Sequence, residues 1–169
     1  VAHLRRSGRT RIIVSYHDFN RTPDDLSAIH SRIVSAGADI AKLACMATDI
    51  RDNLRMFELL RNTGRRTIAL CMGEEGVISR ILGRKFGNHL TFAALDEDAG
   101  SAPGQITASM LSERYRYKSI GPETSAYGVV ANPVAHSMSP AVLNAAFAAA
   151  GLDAVYLPLK VTCDAAKFV

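Results

Sequence analysis

"RIIVSYHDFNRTPDDLSAIHSRIVSAGADIAKLACM", residues 11–46, holds one full period of the pattern that organises most of this chain. The β-branched run 11–19 reads as a strand. The segment 22–37 reads as a helix, with Thr22 as N-cap, Pro23 at the first helical position and Gly37 as the stop. The apolar run 38–46 is the next strand. The period recurs. Residues 48–64 place Ile50, Leu54, Phe57 and Leu60 at helical spacing behind a Thr cap, strand 65–73 precedes helix 74–87, and strand 89–96 precedes the loop 97–105 and helix 106–117. Four βα units in succession imply parallel strands, and their nearly continuous apolar runs imply a sheet covered on both faces.

The polar residues choose between architectures. His17, Lys42 and Met72 with Gly73 fall at or near C-terminal strand ends, the rim where a (β/α)8 barrel gathers its chemistry. An open doubly wound sheet would favour a Gly-rich phosphate turn, and no G-x-G-x-x-G occurs. The expected fold is therefore α/β, the second half of a TIM barrel over residues 1–117. The polar stretch "KSIGPETSA" begins a linker, 118–125, and a further βαβ start occupies 126–169, with strand 126–131, turn 132–140, helix 141–152 and strand 154–161. A whole barrel takes about 250 residues, and the chain opens on Val1. It reads as a piece of a longer polypeptide, cut within one domain and again within the next.

Composition narrows the class. At 169 residues and 48% hydrophobic, the chain can bury a good core. Its charge of +4 is spread over short groups (Arg5–Arg6, Arg65–Arg66, Arg84–Lys85), which fits anionic small molecules better than nucleic acid. Cys45, Cys71 and Cys163 are odd in number and two lie in expected strands, as reduced thiols of a cytoplasmic protein would. No apolar stretch approaches the ~20 residues of a membrane span.

Lys42 is the unusual residue in that opening stretch. An ammonium facing a dry interior loses stability, so its pKa falls and a neutral amine becomes available to attack a ketone and form a Schiff base. The bland alternative is a lysine that snorkels to solvent or pairs with Asp39 or Asp49. His17, at the end of the preceding strand, can take and return protons near such an iminium.

These residues carry a resemblance. "SYHDFNRTP", "ADIAKLA", "MGEEGVISRILGRKFGNHLTFA" and "SAPGQI", in that order, resemble the second half of type I 3-dehydroquinate dehydratase. The resemblance implies that Lys42 forms an imine with 3-dehydroquinate and that His17 shuttles protons as water leaves to give 3-dehydroshikimate. It implies that Arg80 binds the substrate carboxylate, Ser101 and Gln105 lie on a loop closing over its hydroxyls, and Met72 lines the site. Leu70 stands where many relatives have methionine. The acidic residue that orients the histidine belongs to the family's first half, so activity of this chain alone is not expected.

The last part, "YGVVANPVAHSMSPAVLNAAFAAAGLDAVYLPLKV" (127–161), is similar to the start of shikimate dehydrogenase. Ser137 and Ser139 match that family's carboxylate-binding hydroxyls, while Ala131 and Leu143 depart from its usual Gly and His. "HSMSP" is explained locally by an N-cap followed by proline. The resemblance implies NADPH as cofactor for this second activity, bound by a domain beyond residue 169, and no cofactor for the first. Small molecules are the expected partners, including shikimate, and open barrel edges would allow a homodimer. Two rivals share part of the evidence. An aldolase-type Schiff-base barrel would share Lys42 alone, and a non-catalytic half-barrel assembly module would form no imine.

Overall fold

The computed structural model describes residues 10–96 and 98–162; Arg5, Arg6 and Cys163 lie outside them. Strands β1 (Ile13–Asp18), β2 (Ile40–Met46) and β3 (Thr67–Met72) form a parallel sheet in the order β1-β2-β3, linked by helices α1 (Leu26–Ser35) and α2 (Asp52–Asn62). Helix α3 (Val77–Leu82), a 3-10 turn (Gly83–Phe86) and a π-helical turn (Met110–Arg114) follow. Strands β4 (Ser125–Ala131) and β5 (Ala154–Lys160), with helix α4 (Ser139–Ala149) between them in sequence, form a second parallel pair. The class is α/β with parallel sheets. No helix among the described residues is long and apolar enough to cross a membrane.

The alternation of side chains across β2 and β3 separates two apolar layers. Leu43, Cys45, Ala69 and Cys71 pack with Leu26, Ile29 and Ile33 of α1 and with Met56, Leu59 and Leu60 of α2. Ala44, Ile68, Leu70 and Met72 form a separate cluster on the other face. Each fully buried Leu, Ile or Met contributes about 1.5–3 kcal/mol, so the β2-β3 pair is the rigid base of the sheet. The thiols of Cys45 and Cys71 are free, and burial pushes both up to about 12.

Several expectations need correction. Thr22 does not cap α1, whose N-cap is Asp25; its hydroxyl donates instead to the Met46 carbonyl at 2.8 Å, tying the β1-α1 loop to β2. Thr48 does not cap α2 either. The Asp52 carboxylate accepts the N–H groups of Thr48 (2.8 Å) and Asp49 (3.2 Å), a favourable place for negative charge at a helix start. Leu54 is 61% exposed, and the buried face of α2 runs through Asn53, Met56, Phe57 and Leu60.

The largest departure is the fourth strand. Residues 89–96 form no ladder: His89 N–H donates to the Thr67 carbonyl of β3 (2.8 Å), and beyond it there is an isolated bridge, Ala94 to Thr107. The outer N–H groups of β3 are already taken: Ala69 donates to Asn88 Oδ1 (3.0 Å) and Cys71 to Ser79 Oγ (2.8 Å). Side chains therefore occupy donors that a neighbouring strand would need. The helix expected over 106–117 is shortened to residues 108–114, of which Met110–Arg114 are π-helical.

The two parts of the chain pack together. Val155, Leu157 and Val161 join Ile78, Ile81 and Leu82 of α3, with Leu111, Tyr115 and Ile120, in one cluster. The intervening segment is tied down. Thr124 donates to Asp153 (2.6 Å), and Lys85 donates to the carbonyls of Pro122 and Thr124.

Candidate active site

Strand register assembles the site. Ser15 lies beside Lys42, while Ala44 lies beside both His17 and Leu70, so His17 and Lys42 project from the same face one strand apart. A cavity of about 130 Å³ opens on that face. Lys42, His17, Arg80, Met72, Ser101 and Gln105 all line it, as do Leu70, Phe19 and Phe92. Six residues spread over 89 positions of sequence thus meet at one place.

Lys42 is half-buried, with its Nζ 4.3 Å from the centroid of the Phe92 ring. Burial, reinforced by the charge of Arg80, lowers its pKa from the ordinary 10.5. Among the described residues no carboxylate lines the cavity to favour the ammonium. His17 is lowered by burial and then by Lys42, which favours the neutral imidazole able to accept a proton. Its ring stacks on Phe19, with centroids 6.1 Å apart.

Arg80 is 2% exposed, which rules out an ordinary helix-surface arginine. Among the described residues its Nη1 reaches the Phe92 carbonyl, at 3.4 Å, and its Nε has no hydrogen-bond partner. A buried guanidinium with so few acceptors is costly unless an anion completes it. The planar fork suits a carboxylate. Met72 is both core and cavity wall, being 1% exposed.

The loop carrying Ser101 and Gln105 is closed on itself, since the Ser101 N–H and Oγ both donate to Gln105 Oε1, at 2.8 and 3.0 Å. Its end is pinned to the sheet. Gly73 donates to Pro103 O (3.0 Å), and Gly104, at φ +68°, packs so closely that a Cβ there would lie 2.1 Å from Gly73 O. That approach requires glycine.

Ser137 and Ser139 lie elsewhere. Ser137 lines a second cavity, and Ser139 opens α4 with its N–H 3.4 Å from Ser137 Oγ. Phe19 and Phe92 are site residues that the motif reading did not single out. Phe19 follows His17 by two positions and so shares its side of the extended chain, a signal present in the sequence. Phe92 reaches the site only through tertiary packing. No group of three or more potential metal ligands occurs among the described residues.

Comparison with known proteins agrees with this geometry. The profile described as type I 3-dehydroquinase matches residues 1–122, and the shikimate dehydrogenase substrate binding domain matches 129–169. A bifunctional 3-dehydroquinate dehydratase/shikimate dehydrogenase of Arabidopsis thaliana, named as chloroplastic, is 45% identical over 159 residues, covering 93% of this chain and 26% of that protein. Among solved structures, type I 3-dehydroquinate dehydratase from Clostridium difficile matches with a TM-score of 0.60 and 34% identity, over 71% of this chain and 49% of that one. Dehydroquinate dehydratase and shikimate dehydrogenase from S. pombe AroM matches with a TM-score of 0.53 and 28% identity, over 92% and 30%. The chain spans about a quarter of the Arabidopsis relative and about half the length of the 3-dehydroquinate dehydratases it matches.

Proposed function

The chain belongs to the type I 3-dehydroquinase family, joined to a shikimate dehydrogenase substrate-binding segment, and on that premise we propose that it contributes the Schiff-base half of a 3-dehydroquinate dehydratase within a bifunctional shikimate-pathway enzyme. The observation that carries the reading is Lys42, a desolvated amine sharing one cavity with His17 and the incompletely partnered Arg80. In this reading residues 1–117 are the second half of a barrel, 118–125 the junction and 126–169 the beginning of the dehydrogenase.

Arg80 takes the substrate carboxylate, and Ser101 and Gln105 take its hydroxyls. Lys42 Nζ adds to the ketone carbon, and loss of one water leaves an iminium. His17 removes the proton from the adjacent carbon, and the electron pair forms the C=C bond as the β-hydroxyl departs with a proton supplied by His17. Hydrolysis of the iminium returns the amine and a new ketone, for a net loss of one water. The iminium is the electron sink that makes the proton acidic, and the neutral imidazole is the base that collects it.

In the second part, Ser137 and Ser139 are the hydroxyls for the shikimate carboxylate. A shikimate dehydrogenase uses NADPH, which would supply hydride to the ketone when bound. Among the described residues the turn after β4 is proline-rich and holds no Gly-rich phosphate loop. The residues present do not fit the nucleotide, and no step here runs through it.

Borohydride reduction of the chain with 3-dehydroquinate, read by mass spectrometry, tests the dehydratase reading. An adduct on Lys42 that vanishes in Lys42→Ala supports it. No adduct here, but one after the preceding half of a relative's barrel is supplied, also supports it and makes that half a requirement. Absence in both overturns it, and C–C cleavage in place of dehydration would favour the aldolase-type alternative.

A further inference from the structure

Lys160, the last residue of β5, reaches from the second part of the chain to the first. Its Nζ lies 2.5 Å from Glu74 Oε2 and 3.1 Å from Glu75 Oε1, on the turn that leaves β3 immediately after Met72 and Gly73. One ammonium thus holds two adjacent carboxylates. The strand that carries it is anchored: β5 pairs with β4 as far as Ala131 beside Lys160, and the neighbouring Leu157 and Val161 belong to the cluster that includes Ile78, Ile81 and Leu82 of α3.

The turn it grips is the seat of the loop bearing Ser101 and Gln105. Gly73 donates its N–H to Pro103 O, and Gly104 packs on Gly73 O with no room for a Cβ. Residues 101–105 therefore rest on residue 73, while the side chains of residues 74 and 75 rest on Lys160. Within the first part, Asn53 Nδ2 donates to the Glu75 carbonyl (2.8 Å) and ties the turn to α2. Lys160 adds a hold from the second part. Ser101 and Gln105 both line the Lys42 cavity, so the chain of contacts from Lys160 ends at that site.

We infer that Lys160 is a positioning residue for the first part's substrate site: by holding Glu74 and Glu75 it steadies the turn beneath the loop, so that the second part sets the order of the first part's loop. That this loop meets substrate rests on the dehydratase reading of residues 1–117; the mechanical link does not.

Amide hydrogen exchange followed by NMR tests the link with no substrate present. In Lys160→Met, exchange at Gly73, Ser101 and Gln105 should quicken about two- to fivefold, the scale of a solvent-screened ion pair, and Lys160→Arg should restore part of the protection. Leu43 and Ala44 in the sheet should exchange as in the wild type. Unchanged exchange at the three loop and turn amides overturns the inference, and so does equal quickening at Leu43 and Ala44, which reports general loosening. Borohydride trapping at Lys42 then reads the consequence: half-maximal adduct in Lys160→Met should need more 3-dehydroquinate by about the same two- to fivefold factor, with the maximal yield unchanged. Quickened exchange with an unmoved half-saturation overturns the role at the site and leaves the dehydratase reading standing. No adduct in the wild type, alone or with the preceding half of a relative's barrel supplied, overturns the dehydratase reading and this role with it.

Discussion

A single amine sets the behaviour of the first cavity. Burial and Arg80 both lower the pKa of Lys42, so its neutral form is populated at lower pH than that of a surface lysine. Reductive ¹³C-methylation followed by NMR titration should give Lys42 a midpoint below 10.5. Arg80→Met should move that midpoint upward, because one of the two lowering causes is gone; an unmoved midpoint would leave burial as the sole cause. How much of this was legible in the sequence depended on distance along the chain. Lys42 and His17 are strand residues, so alternation and strand order bring them to one face. Arg80 gives no such signal: from spacing alone its helix offers an ordinary basic surface, and only the packing of α3 over the sheet buries the guanidinium.

Elements were read with uneven success for a physical reason. Strands β2 and β3 have nearly continuous apolar runs and are buried on both faces, and β1 opens on a β-branched run. Residues 89–96 look similar, but strand pairing also needs free donors and acceptors on a neighbour, and Ser79 and Asn88 occupy those donors of β3. Nothing in hydrophobic patterning reports that competition. Ser79→Ala should therefore leave the buried Cys71 N–H without its partner and destabilise the chain by about 1–3 kcal/mol, measured by denaturant unfolding. His30 of α1 offers a second test. It is buried, with Nε2 2.9 Å from Thr67 Oγ1 and 3.0 Å from Thr63 Oγ1, and burial and then Arg65 lower its pKa. The unfolded chain takes up the proton first, so this contribution is complete above pH 6.5 and is lost as the pH falls below that value. Thermal midpoints between pH 7.5 and 5 should fall, and less steeply in His30→Gln.

Across the whole molecule, apolar packing joins the two parts more firmly than charge does. Leu157 belongs to the cluster that spans them and is 3% exposed, so Leu157→Ala should cost about 2–5 kcal/mol. The Lys160 pairs with Glu74 and Glu75 are solvent-screened, and Lys160→Met should change stability by less than about 1 kcal/mol, with the difference shrinking further in high salt. Equal effects from the two substitutions, measured by chemical unfolding, would contradict this ranking. The occupied border of β3 also bears on growth. β1 and β3 flank the three-stranded sheet, but Ser79 and Asn88 hold the outer N–H groups of β3 along that stretch, so among the described residues β1 is the flank left for recruitment. A sheet with one vacant flank has a valency of one. A single pairing event saturates it, and end-to-end stacking of this sheet into fibres has no second place to continue.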